Sequence, residues 1–289
     1  MKPAFIIEDL RYAYPTNKKQ DVLKGISFTV DQGEIFGLLG PSGAGKSTTQ
    51  KVLTRLLNDY RGSITYFDRD LKSYDSRFYE EIGVGFEMPV HFSKLTGLEN
   101  MRYFASFYQK KNDIETLLKR VGLWEYKDIK VAEYSKGMKV RLNFVRALLN
   151  DPKVIFLDEV TNGLDPKNAK IIKDMIREFK DQNRTVFLTT HLMNDVEQLC
   201  DKVAFCINGQ LHEISKVRDL KLKYGKKEVM VEYREDDQLK IESFDMNNIA
   251  DNPKFISLLH HKGLETIHSG ETTMEDIFIK VTGQALYEE

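Results

Sequence analysis

Nine consecutive residues, Gly40-Pro41-Ser42-Gly43-Ala44-Gly45-Lys46-Ser47-Thr48, restrict what this chain can fold into more than any other stretch. Their spacing is G-x-x-x-x-G-K-[ST], the pattern of a loop that wraps phosphate. A phosphate chain needs backbone N–H groups converging from a tight turn, and side chains at the glycine positions would block the approach. Lys46 supplies a point charge for the β- and γ-phosphates, and the Ser47 hydroxyl is a hard oxygen that suits Mg²⁺. Average residue usage puts a chance match in a chain this long at roughly one in a hundred. The flanks agree. Glu34-Ile35-Phe36-Gly37-Leu38-Leu39 reads as a buried strand, and Val52, Leu53, Leu56 and Leu57 follow the loop at helical spacing. Strand, glycine loop and helix aim a helix N-terminus at an anion, so the chain is expected to bind a nucleoside triphosphate.

A chain of 289 residues is long enough for one large domain and a smaller one. Hydrophobic residues at 41% and charged residues at 30% are ordinary for a globular protein. A formal net charge of −1 argues against a general nucleic-acid binder. Cys200 and Cys206 have neither metal nor redox spacing and read as buried thiols. No apolar run approaches the roughly 20 residues that cross a bilayer, and Glu8 and Asp9 come too early for a signal peptide. A membrane role would therefore have to come through a partner chain.

Residues 4–8 and 26–30 read as strands, with Tyr12-Ala13-Tyr14-Pro15 an aromatic loop between them. That loop suits edge-strand packing and the stacking of a ring on a base equally well. Ile64 to Phe67 is a further strand, and Ile82 to Pro89 a strand pattern broken by glycines and stopped by proline. Glu87 stands where that strand ends, either as a solvated carboxylate or as a ligand contact. Residues 96–150 read as mostly helical, with segments from Asn100, from Ile114 and after Met138. Ser135 precedes the third as an N-cap, or as part of a second helix start offered to an anion.

Val154-Ile155-Phe156-Leu157 is a continuous apolar run, expected of a parallel strand covered on both faces, and it ends in Asp158-Glu159. Adjacent carboxylates at the end of a buried strand need partners such as metal or water. Downstream of a phosphate loop, Asp158 suits Mg²⁺ and Glu159 suits a general base for an attacking water. Asn162 to Pro166 reads as a turn that starts a helix, with Asp165 as N-cap and Pro166 at its first position. Thr185 to Thr190 is another buried strand, and His191 follows it, either a bland surface histidine or a phosphate contact. Val203 to Ile214 is a hairpin around Asn208-Gly209. Lys216 to Lys227 reads as a basic linker with a solvated face. The unit beyond contains strands 229–233, 239–244 and 264–267, a helix 253–259, and a last helix behind a capping box from Thr272 to Glu275. His260-His261 lacks companions at metal-ligand spacing.

The phosphate loop, Tyr134-Ser135-Lys136-Gly137-Met138, Leu157-Asp158-Glu159, Gly163-Leu164-Asp165-Pro166 and His191 occur in this order. That set resembles the ATP-binding subunit of ATP-binding-cassette (ABC) transporters over about residues 4–215. The resemblance implies an α/β fold: a RecA-like P-loop NTPase core with an antiparallel β subdomain and a helical insertion at about 88–150. With the residue patterns beyond it, the domain plan is 1–215, a linker 216–228 and a small α+β domain 229–289. It matches Lys46 and Ser47 to the phosphate-loop lysine and Mg²⁺ serine, and Asp158 to a second Mg²⁺ carboxylate. Glu159 matches the catalytic base, His191 the histidine that senses the γ-phosphate, Asp165 the aspartate coupling two facing subunits, and Tyr14 the adenine-stacking aromatic.

Two positions depart from the usual pattern. The signature Leu-Ser-Gly-Gly-Gln is here Tyr134-Ser135-Lys136-Gly137-Met138, and Glu87 stands where a glutamine usually joins Mg²⁺ to the membrane partner. An ionised carboxylate can ligate Mg²⁺ but cannot donate a hydrogen bond. Both departures, and the ending Thr273 to Phe278, are similar to the drug and antibiotic exporter branch (ABC-2 type), whose ATPase is a separate chain. The resemblance implies ATP and Mg²⁺ held in a head-to-tail dimer of ATP-binding subunits. Such a dimer would sit on the cytoplasmic face of the plasma membrane through an integral membrane permease that docks near Glu87 to Tyr108. The rival readings are an ABC-type ATPase unconnected with transport, disfavoured by the single phosphate loop and lack of heptads, and a nonhydrolytic regulatory subunit.

Overall fold

The computed structural model describes residues 2–17, 20–87, 90–225, 227–270 and 272–284. Met88, Pro89 (the proline expected to stop a strand), Lys226 and residues 285–289 of the expected C-terminal domain lie outside the described residues. The strands are β1 Pro3–Tyr12, β2 Leu23–Asp31, β3 Ile35–Leu39, β4 Arg61–Tyr66, β5 Arg69–Asp70, β6 Ile82–Gly85, β7 Val154–Asp158, β8 Thr185–Thr190, β9 Lys202–Ile207, β10 Gln210–Lys216, β11 Glu228–Glu235, β12 Gln238–Asp245 and β13 Leu264–Ser269. The α-helices are α1 Lys46–Leu53, α2 Phe78–Glu81, α3 Gly97–Ala105, α4 Ile114–Arg120, α5 Lys136–Ala147, α6 Pro166–Asp181, α7 Met193–Leu199, α8 Val217–Tyr224, α9 Pro253–Leu259 and α10 Met274–Thr282.

A six-stranded sheet in the order β10-β9-β3-β8-β7-β6 forms the centre, parallel except for β10. Its strands are apolar on both faces because each face meets its own core. Ile35, Leu39, Ile155, Leu157, Val186, Leu188, Val203 and Phe205 point to the helical side. Phe36, Leu38, Val154, Phe156, Phe187, Ala204 and Cys206 point to the other, where the antiparallel sheet β2-β1-β4-β5 covers them. Aromatic rings join the two sheets: Phe28 stacks on Phe36 with centroids 5.1 Å apart, and Phe5 meets Phe156 edge-on at 5.7 Å. Three helices, α3, α4 and α5, occupy the stretch expected to be helical. The glycines of β6 admit α5, since a Cβ on Gly83 would lie 1.8 Å from the Ala147 carbonyl oxygen.

Several expectations need correction. The helix after the phosphate loop ends at Leu53, because Arg55 turns to φ 58, and Leu56 is left exposed beyond it. Residues 217–224, read as a basic linker, are helix α8. Val217 and Leu220 are buried in the helical-side core with Tyr224 packed beside them, an apolar face at helical spacing that the lysines between them obscured. The last capping box is one residue later than expected: Thr273 Oγ1 accepts from the Asp276 N–H at 3.1 Å, and the Asp276 carboxylate accepts from the Thr273 N–H at 3.2 Å. Helix α10 also does not pack with the small C-terminal sheet β12-β11-β13, whose own core is Val231, Tyr233, Phe244 and Leu258. Met274, Ile277 and Phe278 join the core of the large domain, and the Phe278 ring lies 5.2 Å from Phe205.

Candidate active site

The loop Gly40–Thr48 leaves the C-terminal end of β3 in the middle of the sheet, where an open α/β sheet gathers ligands. Gly40 lets the loop pass tightly against β9, for an added Cβ would meet the Cys206 carbonyl oxygen at 2.0 Å. Gly45 caps α1 at φ 107, a left-handed conformation that glycine adopts without strain. The back of the loop is fixed by the Ala44 carbonyl, which accepts from the Gly209 N–H at 3.0 Å and from Cys206 Sγ at 3.1 Å. Both thiols are buried and free, and burial pushes Cys206 up to about 11.

Lys46 is nearly buried, and its Nζ donates to the Gly40 carbonyl at 2.8 Å and the Pro41 carbonyl at 3.0 Å. Burial lowers its proton affinity, and the Glu159 and Asp158 carboxylates act the other way, holding the charge. The Asp158 carboxyl is itself pushed up by burial, opposed by hydrogen bonds from the Thr189 and Ser47 hydroxyls. Thr189 also reaches Gln50 Oε1 at 3.0 Å, so the strand end, the neighbouring strand and α1 share one polar network.

Glu159 and His191 come together because β7 and β8 are adjacent and parallel with Asp158 opposite Thr189. His191 Nδ1 and Glu159 Oε1 are 2.5 Å apart, and Asn162 Nδ2 donates to Glu159 Oε2 at 3.1 Å. The Glu159 backbone sits at φ 49, a left-handed conformation costly for a glutamate and held by its N–H donating to the Thr189 carbonyl at 3.0 Å. Glu87, at the surface just past β6, faces the same group. Partial burial raises its carboxyl, the Glu159 and Asp158 charges raise it further, and His191 and Lys46 oppose them. Tyr14 reaches the loop from the antiparallel sheet, its hydroxyl 3.1 Å from Thr48 Oγ1 and its ring edge-on to Tyr12 at 5.1 Å.

Ser135, Lys136, Gly137, Met138 and Asp165 gather in a second place. Ser135 caps α5, its Oγ accepting from the Met138 N–H at 3.2 Å, and Ser135 and Lys136 are exposed. The Lys136 side chain lies against Gly163, and a Cβ on Gly137 would touch Leu164, so this helix start abuts the turn carrying Asp165. Asp165 caps α6 through the Asn168 N–H at 3.1 Å, and the Asn168 side-chain amide, with that N–H, lowers its carboxyl. Of the pair His260-His261, His261 is tied into the small sheet domain: its Nδ1 accepts from the Gly263 N–H at 3.1 Å and its ring packs on Tyr233. Sequence reading missed Gln50, Thr189 and Asn162 as members of the site. The signal was present in Thr189-Thr190, two hydroxyls closing an apolar strand.

The family described as ABC transporter matches residues 23–162, and the family described as fluoroquinolone efflux ABC transporter C-terminal domain matches residues 227–271. A fluoroquinolones export ATP-binding protein of Mycobacterium tuberculosis is 47% identical over 97% of this chain and 93% of that protein. The chain belongs to the ABC transporter ATP-binding proteins. A lantibiotic transport ATP-binding protein of Streptococcus pyogenes is 34% identical over 71% of this chain and 87% of its own length, which sets this ABC protein in the branch that includes drug and antibiotic exporters. Among solved structures, an ATP-binding subunit of an ABC transporter superposes at a TM-score of 0.70 with 29% identity, covering 77% of this chain and 93% of that chain. A bacterial ABC transporter cassette solved as a dimer shares the fold, with a TM-score of 0.68 at 23% identity over 74% of this chain and 99% of that one. This ABC protein binds ATP and hydrolyses it to drive a membrane transporter. Among the described residues no helix is long and apolar enough to cross a membrane.

Proposed function

We propose that the chain works as one half of an ATP sandwich in which the Gly40–Thr48 loop of one subunit faces the signature helix of another. The cluster of Lys46, Ser47, Asp158, Glu159 and His191 at adjacent strand ends carries this reading. A second helix start at Ser135, exposed and packed on the Asp165 turn, supports the two-subunit form. The Met138 N–H is taken by Ser135 Oγ, and the Lys136 and Gly137 N–H groups of that first turn suit an anion. Lys46 and the loop N–H groups would hold the β- and γ-phosphates, and Tyr14 would stack on the adenine. Glu159 would accept a proton from the attacking water, with His191 and Asn162 fixing its carboxylate. The partner's Ser135 would close on the γ-phosphate, and Asp165 would lie at the seam.

The donor set fits Mg²⁺. Ser47, Asp158 and Glu87 offer hard oxygens; burial raises the Asp158 and Glu87 carboxyls first and neighbouring carboxylates raise them further, and a divalent cation would offset both. Bound there, Mg²⁺ would neutralise charge on the phosphates.

The membrane partner would dock on an aromatic patch beside Glu87. Phe92, Tyr103 and Phe107 are exposed, with ring centroids 4.9 Å apart for Phe92–Tyr103 and 5.1 Å for Tyr103–Phe107. The patch is tied to the signature helix, because Asn143 Nδ2 donates to the Phe86 carbonyl and Arg146 Nη1 to the Val90 carbonyl, both at 2.7 Å. Motion of the docked partner would thereby reach the helix that starts at Ser135. The cargo would be a drug of the fluoroquinolone kind, as the Mycobacterium relative's name has it, and the chain would sit at the cytoplasmic face of the plasma membrane.

Two outcomes test this. Purified from membranes, the chain is expected to bring an integral membrane protein with it, and the pair to lower fluoroquinolone accumulation in cells. Isolation without any membrane partner would sink the transport reading. The turnover per subunit is expected to rise with protein concentration as dimers form. A specific activity that stays constant down to concentrations where sedimentation shows only monomer would remove the sandwich.

A further inference from the structure

Outside the groups that face the phosphate loop, the described residues hold one deeply buried ionic cluster. Asp195 Oδ1 pairs with Lys173 Nζ at 2.6 Å, with 8% of the lysine side chain and 7% of the aspartate side chain exposed. Asp195 Oδ2 accepts the Thr161 hydroxyl, and Lys173 Nζ also donates to Gln198 Oε1 at 3.0 Å. Thr161 is buried as well. Taking an ion pair out of water is expensive, and apolar side chains of similar volume often serve stability as well or better. Stability alone therefore gives little reason for charge at this place.

The cluster's position gives a better one. Thr161 lies two residues beyond Glu159, in the turn that Glu159 opens in its left-handed conformation. Asp195 lies four residues beyond His191, in the first turn of α7. Lys173 sits on α6, the helix that Asp165 caps. One carboxylate thus ties together the three segments that leave Glu159, His191 and the Asp165 turn.

We infer that Asp195, with Thr161 and Lys173, is a positioning device for hydrolysis: it fixes the turn after Glu159 against the helix after His191, so that the two side chains meet. The inference rests on Glu159 and His191 being the hydrolytic pair. The Glu159 loop has few other restraints on its far side. Its backbone is held by the Thr189 carbonyl at one end and by short contacts within the turn, from the Asn162 N–H to the Glu159 carbonyl at 3.0 Å and from the Leu164 N–H to the Thr161 carbonyl at 3.1 Å. The Thr161–Asp195 bond adds the side-chain link from that turn to α7.

The test is steady-state ATP hydrolysis by the full chain with Mg²⁺, reading kcat, KM for ATP and Tm for each variant. Thr161→Val keeps the shape, removes the hydroxyl and leaves the Lys173–Asp195 pair intact. Its kcat is expected to fall about tenfold, as small misplacements of catalytic groups do, with KM within about twofold of the parent. Thr161→Ser restores the hydroxyl and is expected to recover kcat to within about twofold. The double variant Lys173→Met/Asp195→Leu replaces the ion pair with apolar groups and is expected to regain the parent's Tm while kcat stays low. If the double variant recovers both Tm and kcat, or if Thr161→Val leaves kcat unchanged, the positioning role is wrong. A failure of the Glu159 assignment looks different: Glu159→Gln would then hydrolyse ATP normally.

Discussion

The variant Glu159→Gln is expected to bind ATP as the parent does and to hydrolyse it about a thousandfold more slowly, within the range that general-base catalysis supplies. Glutamine has the shape of glutamate, so the turn at φ 49 and the contact with the Thr189 carbonyl remain. What disappears is a carboxylate that can take a proton from water. The amide oxygen can still accept from His191 at the Oε1 position. The NH₂ group, if it lies at the Oε2 position, would face the Asn162 amide donor that now sits 3.1 Å away, so Asn162 is expected to turn. ATP should then persist at the site and hold subunits together. Gel filtration with ATP and Mg²⁺ is expected to show a dimer for Glu159→Gln and a mixture for the parent. Hydrolysis by Glu159→Gln at the parent rate would remove Glu159 as the base.

Loss of the loop lysine acts on binding instead. Lys46→Met is expected to weaken ATP binding about a hundredfold, the loss that follows when one partner of a buried charged contact is truncated. Methionine fills the volume of the lysine stem, so Tm without nucleotide should change little. Burial opposes charge on the ammonium there, and the Glu159 and Asp158 carboxylates act the other way. Its hydrogen bonds are to the loop's own carbonyls, at 2.8 and 3.0 Å, and a triphosphate would offer anionic oxygens in their place, which are stronger acceptors. Calorimetric titration with a nonhydrolysable ATP analogue measures the change, and an unaltered Kd would contradict the assignment.

Much of this site could be read from the chain. Local chemistry wrote the phosphate loop, the cap residues Ser135 and Asp165, and the apolar runs of β3, β7 and β8, because each depends on neighbours within a few residues. Elements built on longer partners were harder. Helix α8 hid among lysines because its buried face consists of Val217, Leu220 and Tyr224, and only the core they meet marks them as inside. Helix α10 joins the large domain rather than the unit that precedes it, and its apolar face alone does not say which core it will join.

The sequence by itself determined the order of the motifs, the chemistry of each and the triphosphate as ligand. Tertiary structure alone decided the pairings: His191 with Glu159 across 32 residues, Thr189 with Asp158, and Asp195 with Thr161 and Lys173. The physical reason is the same for all of them. A buried polar side chain must find a partner, but which one it finds depends on which strands lie side by side and in what register. That is settled by the packing of two cores against one parallel sheet, not by spacing along the chain.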